Sequence, residues 1–180
     1  MNPTLAILNE ITICFRFAIW FLKTAMFVSI GSVVSIAKID YNKKFGFINF
    51  NGAGYMYIWQ NDIVPDKWHH LCYSFAGNEI HIVLDGIPIF HKDMINLPAI
   101  NLNLSNLDLS IGYLSENKLP QRFSGLMTEV NVWSKGLKLN DMIEITSKCL
   151  EITAVKIGVC KQINQQKLFN HTQILTLLYL

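Results

Sequence analysis

Four cysteines, one histidine pair and a scatter of carboxylates are the side chains whose types could do chemistry in this chain. The cysteines are Cys14, Cys72, Cys149 and Cys160. None forms a C-x-x-C pair and no histidine follows one at finger spacing, which argues against zinc held by cysteine. An even count allows two disulfides in any of three connectivities, or buried thiols in a reducing compartment. His69 and His70 are adjacent, and on a strand adjacent residues point to opposite faces. One imidazole is then expected toward the core and the other toward solvent, so the two cannot chelate together. Glycoside cleavage needs two carboxylates roughly 5 to 10 Å apart across the bond. Glu129 is the single acid of its segment, and Asp62 with Asp66 reads as a turn pair before Trp68. No G-x-S-x-G or phosphate-binding loop is present, so the sequence points away from an enzyme. Asn103-Leu104-Ser105 and Asn170-His171-Thr172 are glycosylation sequons, usable only on an exported chain. Tyr55, Tyr57 and Trp59 alternate along one segment. Sugar rings stack on such faces, but the period of two equally fits an inner sheet face, the reading favoured here.

These groups need a scaffold, and composition sets its class. Of 180 residues, 51% are hydrophobic and 16% charged, with 11 Phe, 6 Tyr and 4 Trp. That is too apolar for disorder and rich in the residues that favour strands. The formal net charge of +2 and a pI near 8.3 give no basic run suited to nucleic acid or an anionic membrane. Mean hydropathy is +0.29, which directs attention to residues 15–37. Arg16 and Lys23 interrupt that stretch and leave 14 uncharged residues from Thr24 to Ala37. A spanning helix needs roughly 18. Met1 to Glu10 lacks the pattern of a secretory leader and reads as a loop entering a strand.

Strand signals then recur along the chain. Glu10–Phe21 alternates with a period of two, and Phe27–Lys38 and Phe45–Phe50 follow. Asn51-Gly52 marks a hairpin into Tyr55–Trp59. Trp68–Phe75, Glu79–Leu84 and Ile87–Lys92 form a meander through turns at Ala76-Gly77-Asn78 and Asp85-Gly86. Leu107–Tyr113 and Phe123–Trp133 complete the set. One short helix is expected near residues 139–147, with Asn140 as its N-cap. Many short strands with one late helix predict an all-β antiparallel sandwich. Residues 150–180 form a divergent tail that the pattern does not place, ending in the apolar run Ile174–Leu180 without turn signals.

Particular motifs add a resemblance. The run Trp68-His69-His70-Leu71-Cys72-Tyr73-Ser74-Phe75, closed by Leu84-Asp85-Gly86, resembles the pentraxin and laminin-G-like family. So does Phe123-Ser124-Gly125 followed by Glu129-Val130-Asn131-Val132-Trp133 and the polar turn Ser134–Asp141. Ile13-Cys14-Phe15-Arg16-Phe17 is similar to the early cysteine-bearing strand of pentraxins. The resemblance covers residues 8–149 and implies a two-sheet jelly roll of concanavalin A-like type. It implies a Cys14–Cys72 bridge, hence an oxidising, extracellular setting, and leaves Cys149 and Cys160 available for a second one. Trp68 and Trp133 become expected core anchors. The strand that usually precedes the Cys14 segment looks missing, and the likeness ends after Cys149.

The resemblance also implies a calcium site, which needs six to eight oxygen ligands. Asp40 and Asn42 fall near its first ligand pair, Glu116 replaces an aspartate, and Gln121 matches a ligand glutamine. Leu114 and Lys118 stand where the family carries acids, and a lysine ammonium repels the ion. The set is degenerate, so calcium is expected to bind weakly or not at all, with no other cofactor. The expected function is recognition of an extracellular glycan, a phosphorylated head group or a protein. A structural or adhesion module is the second reading and a glucanase-like hydrolase the third.

Overall fold

The computed structural model describes residues 6–8, 10–20, 25–30, 34–39, 45–50, 53–58, 63–93, 100–102, 109–112, 123–147 and 173–177. Their elements are nearly all strands: β1 (Ala6–Leu8), β2 (Ile11–Ile19), β3 (Ala25–Ile30), β4 (Val34–Ile39), β5 (Phe45–Phe50), β6 (Ala53–Ile58), β7 (Trp68–Ala76), β8 (Glu79–Leu84), β9 (Ile87–Asp93), β10 (Ile100–Leu102), β11 (Leu109–Ile111), β12 (Gly125–Trp133) and β13 (Gln173–Leu177). One helix, α1, spans Leu139–Ser147. No helix among the described residues is long and apolar enough to cross a membrane.

The chain forms two compact bodies. The first comprises Met1–Asn9, Ala18–Lys67 and Pro98–Leu126. It holds a five-stranded sheet in the order β11-β3-β4-β5-β6 and the two-stranded pair β1-β10. All four ladders of the larger sheet are antiparallel. Its core includes Phe27, Val28, Ile30, Val34, Ile36, Ile48 and Tyr57. Every residue of β3 is buried, which matches its near-continuous apolar run Ala25-Met26-Phe27-Val28. Gly46 is required in β5, because a Cβ there would strike the ring of Tyr57.

The second body comprises Glu10–Phe17, Trp68–Leu97 and Met127–Leu180. It carries the sheet β13-β12-β2-β7-β8-β9, whose β2 and β12 ends, Ala18-Ile19 and Gly125-Leu126, fall in the first body. Phe15, Phe17, Leu71, Tyr73, Phe75, Ile80 and Ile82 are fully or almost fully buried. The Phe15 ring lies 6.0 Å from Phe17 and 6.3 Å from Tyr73. A second cluster joins Cys14, Cys72, Val83, Trp133 and Leu137 to Met142 of α1. Its helical part includes Leu139, Ile143 and Ile145.

Turn chemistry shapes the meander. Asp85 and Gly86 both adopt positive φ, +51° and +80°, as the two central residues of a type I′ hairpin require. Gly77 supplies φ +57° at the preceding turn.

Several sequence expectations need correction. Phe27–Lys38 is not one strand: β3 and β4 pair antiparallel, with Ile30 opposite Val34. Met1–Glu10 is not simply a loop, and a strand does precede the Cys14 segment. β1 pairs with β10, Ile7 opposite Asn101. Within residues 150–180, which the sequence pattern does not place, β13 pairs with β12. Asn140 lies inside the first turn of α1 and does not cap it, the Met142 amide donating to the Lys138 carbonyl at 3.1 Å.

Candidate functional site

The Cys14 and Cys72 sulfurs are bonded, and their Cα atoms are 4.1 Å apart on neighbouring strands β2 and β7. α1 covers the bridge through Met142, so it is a buried staple. Above it, hydroxyl groups fasten the β12–α1 connection. Thr12 Oγ1 donates to the Lys135 carbonyl at 2.7 Å and accepts the Leu137 amide at 2.9 Å. Ser74 Oγ donates to the Leu137 carbonyl at 2.9 Å. The Gly136 amide donates to Glu10 Oε2 at 3.0 Å. These bonds satisfy main-chain groups of a segment that leaves the ladder, as burial demands.

Both histidines of the pair are buried on β7. His69 lies against Phe17, ring centroids 5.5 Å apart, with Nδ1 2.7 Å from Asp85 Oδ2. Asp85 Oδ1 accepts the His70 amide at 2.7 Å, and the Asp85 amide donates to the His70 carbonyl at 2.9 Å. One carboxylate thus clamps the β8–β9 turn onto β7. The Gly86 amide donates to Thr146 Oγ1 at 3.0 Å, which ties the turn to α1. The expectation that one imidazole of the pair faces solvent fails: His69 is 4% and His70 6% exposed, and His70 Nδ1 has no hydrogen-bond partner among the described residues. Burial, reinforced by the Arg16 charge and opposed by Asp85, lowers its pKa to about 4.

Arg16 is buried beside this pair. Its guanidinium lies 3.6 Å from Glu129 Oε1 and 5.8 Å from the centroid of the Trp68 ring. Trp68 is therefore half-buried beside a cation, not a core anchor like Trp133, which is 4% exposed. Glu129 takes φ +51° inside β12, a conformation rare for non-glycine residues. Its carbonyl accepts Asn131 Nδ2 at 2.8 Å.

Of the exposed large hydrophobic side chains among the described residues, Ile87 belongs to the second body and the other three to the first. Trp20, at the end of β2, is 50% exposed, Val64 48% and Leu126 52%. Two backbone bonds gather their segments. The Trp20 amide donates to the Ser124 carbonyl and the Asp66 amide to the Ile19 carbonyl, each at 2.9 Å. Gly125 lets β12 approach closely: a Cβ there would strike the Ala18 carbonyl oxygen. The sequence pattern places Trp20 inside the strand Glu10–Phe21 and does not single it out.

Tyr57, one of the three aromatics that could have stacked on sugar, is 2% exposed and belongs to the core. The Tyr55 side chain and Trp59 lie outside the described residues, as do Asp40, Asn42, Glu116, Gln121, Asn103, Asn170, Cys149 and Cys160. The strands that lead to the calcium candidates are described. β11 and β4 each run antiparallel to β3, with Ile111 opposite Val28 and Lys38 opposite Ala25. Both strands therefore end toward the start of β3, so the chain leaves them at one end of the sheet.

Residues 4–141 match the family of the concanavalin A-like lectin/glucanases superfamily. The chain belongs to that superfamily. Its fold class is the all-β concanavalin A-like jelly roll expected from the sequence, and the domain is pentraxin/laminin-G-like. C-reactive protein 1.1 of Limulus polyphemus is 28% identical over 164 residues, 83% of this chain and 66% of that protein. The chain thus spans just under two thirds of that relative. A heptameric SAP-like pentraxin from Limulus polyphemus superposes with a TM-score of 0.65 at 15% identity, over 82% of this chain and 74% of the other. A carbohydrate-binding protein from Bacteroides ovatus gives 0.64 at 18% identity, over 79% and 42%. The Ruminococcus gnavus IT-sialidase CBM40 bound to alpha2,3 sialyllactose gives 0.62 at 11% identity, over 77% and 83%. At these identities the structures speak for the fold.

Proposed function

We propose that this concanavalin A-like domain is an extracellular glycan-recognition module without catalytic activity. The observation that carries the reading is the exposed indole of Trp20 in the first body, where Val64 and Leu126 are exposed as well. An indole offers an apolar face for a pyranose ring and an N–H for a hydroxyl. Val64 and Leu126 add exposed aliphatic surface to the same body. The lectin and carbohydrate-binding relatives support glycan as the ligand class.

Two acids weigh toward binding over hydrolysis. Glu129 is engaged by Arg16 and Asp85 by His69 and His70, so both serve the fold. The Cys14–Cys72 bridge supports export, because such bonds persist in oxidising compartments. For calcium, the donors Asp40, Asn42, Glu116 and Gln121 supply fewer oxygens than the ion takes, and Lys118 adds a repelling charge. Calcium is proposed to contribute little.

A glycan array probed with the oxidised protein, in calcium and in chelator, tests this. Signal on a defined set of glycans, changed little by chelator, is the expected result. An array without signal, or hydrolysis of a bound glycan, overturns the reading.

A further inference from the structure

The hairpin of β8 and β9 carries a group of side chains that neither the fold nor the glycan reading uses. His81 stands directly opposite His91 in the ladder, and Glu79 lies two residues before His81 on the same strand face. One donor atom from each of the three lies within 4.8 Å of the others. His81 Nε2 is 2.9 Å from Glu79 Oε2, and the two imidazole rings meet edge to face with centroids 4.6 Å apart. Glu79 and His91 are exposed, whereas His81 is only 7% exposed. Asp93 occupies the register position opposite Glu79, a second acidic residue at that end of the hairpin.

We propose that Glu79, His81 and His91 form a zinc-binding site on the β8–β9 hairpin. The donor set decides the metal class. Two imidazole nitrogens and one carboxylate suit zinc and its first-row neighbours, whereas calcium and magnesium demand oxygen shells. Zinc bonds of about 2.0–2.1 Å in tetrahedral geometry place donors about 3.3 Å apart. The His81–Glu79 separation of 2.9 Å is already near that value. The remaining closure falls on His91, whose side chain is exposed.

The tautomer of His81 is also free to suit a metal. A ring nitrogen is fixed as donor or acceptor by the bond its partner nitrogen makes. His81 Nδ1 is buried and has no hydrogen-bond partner among the described residues. Nothing there opposes placing the proton on Nδ1 and presenting the Nε2 lone pair to the ion. Three protein donors leave a fourth tetrahedral position for water or for an external ligand. β9 is the terminal strand of its sheet, so the ion would clamp an edge strand to its neighbour.

The test is calorimetric titration of untagged, oxidised full-length protein with zinc chloride, paired with thermal unfolding. Saturable one-site binding is expected, with a rise in unfolding temperature as zinc is added. Magnesium chloride is expected to produce neither. His91→Gln and Glu79→Gln alter exposed side chains and should unfold as the wild type does without metal. Each should weaken zinc binding about tenfold or more, because each removes one of three donors. Absence of zinc heat in the wild type, or unchanged affinity in both variants, overturns the site. The glycan reading uses none of these residues and stands or falls separately.

Discussion

Asp85 Oδ2 lies 2.7 Å from His69 Nδ1 while its Oδ1 accepts the His70 amide at the same distance. A single carboxylate thus holds two successive residues of β7 from the turn that starts β9. The turn needs positive φ at this position, which aspartate tolerates. Asp85→Asn keeps the turn preference but loses the charge on both bonds. Asp85→Ala also leaves the His70 amide without its partner. We expect losses of about 1–2 and 2–4 kcal/mol respectively in urea unfolding. Equal stability of both variants to wild type would remove the clamp from the account.

His70 makes stability depend on pH. The folded chain binds its proton only near 4, whereas the unfolded chain binds it near 6.5. The neutral histidine's contribution is complete above pH 6.5 and is lost as pH falls from there through 4. From pH 7.5 to 5 the wild type should lose about 2 kcal/mol from this residue alone. His70→Gln, compared with wild type at both pH values by denaturant unfolding, should show that much less decline. Parallel declines would contradict the assignment.

The bridge from Cys14 to Cys72 closes a separation of 58 residues. A loop of that size constrains the unfolded chain by about 4 kcal/mol in the chain-entropy treatment. Reduction with dithiothreitol, or Cys14→Ala with Cys72→Ala, should lower the unfolding temperature markedly. Circular dichroism follows the transition. An unchanged transition under reducing conditions would mean that the staple contributes nothing.

Thr12 offers a sharper check of the β12–α1 connection. Thr12→Val preserves shape but removes the acceptor of the Leu137 amide and the donor to Lys135. An unsatisfied buried amide costs about 1–3 kcal/mol. Thermal unfolding should register that loss, and Thr12→Ser should recover most of it.

Much of this molecule is legible in its residue pattern, wherever the cause is local. The alternation of Thr12, Cys14 and Arg16 with Ile11, Ile13 and Phe15 marks β2, and Asp85-Gly86 specifies its turn through backbone sterics. The hidden features are those set by distant partners. Gly31 and Ser32 do not announce a chain reversal between β3 and β4, since serine is also at home in strands. β13 has no turn signals around it and gains its place only by pairing with β12. Trp68 and Trp133 look alike in sequence, yet Arg16 meets one while α1 residues enclose the other. Burial of His70 and exposure of Trp20 likewise depend on segments far away in the chain. The Glu79–His81–His91 group is not legible in the sequence, because His91 joins it only through the β8–β9 register.

The most direct measurement is titration of the strongest array glycan into wild type and Trp20→Ala, each checked for an unchanged unfolding transition. Wild-type binding should quench or shift indole fluorescence, and the variant should bind about tenfold more weakly or worse, as loss of an aromatic anchor entails. Equal affinity in the two proteins would contradict the role given to the Trp20 surface.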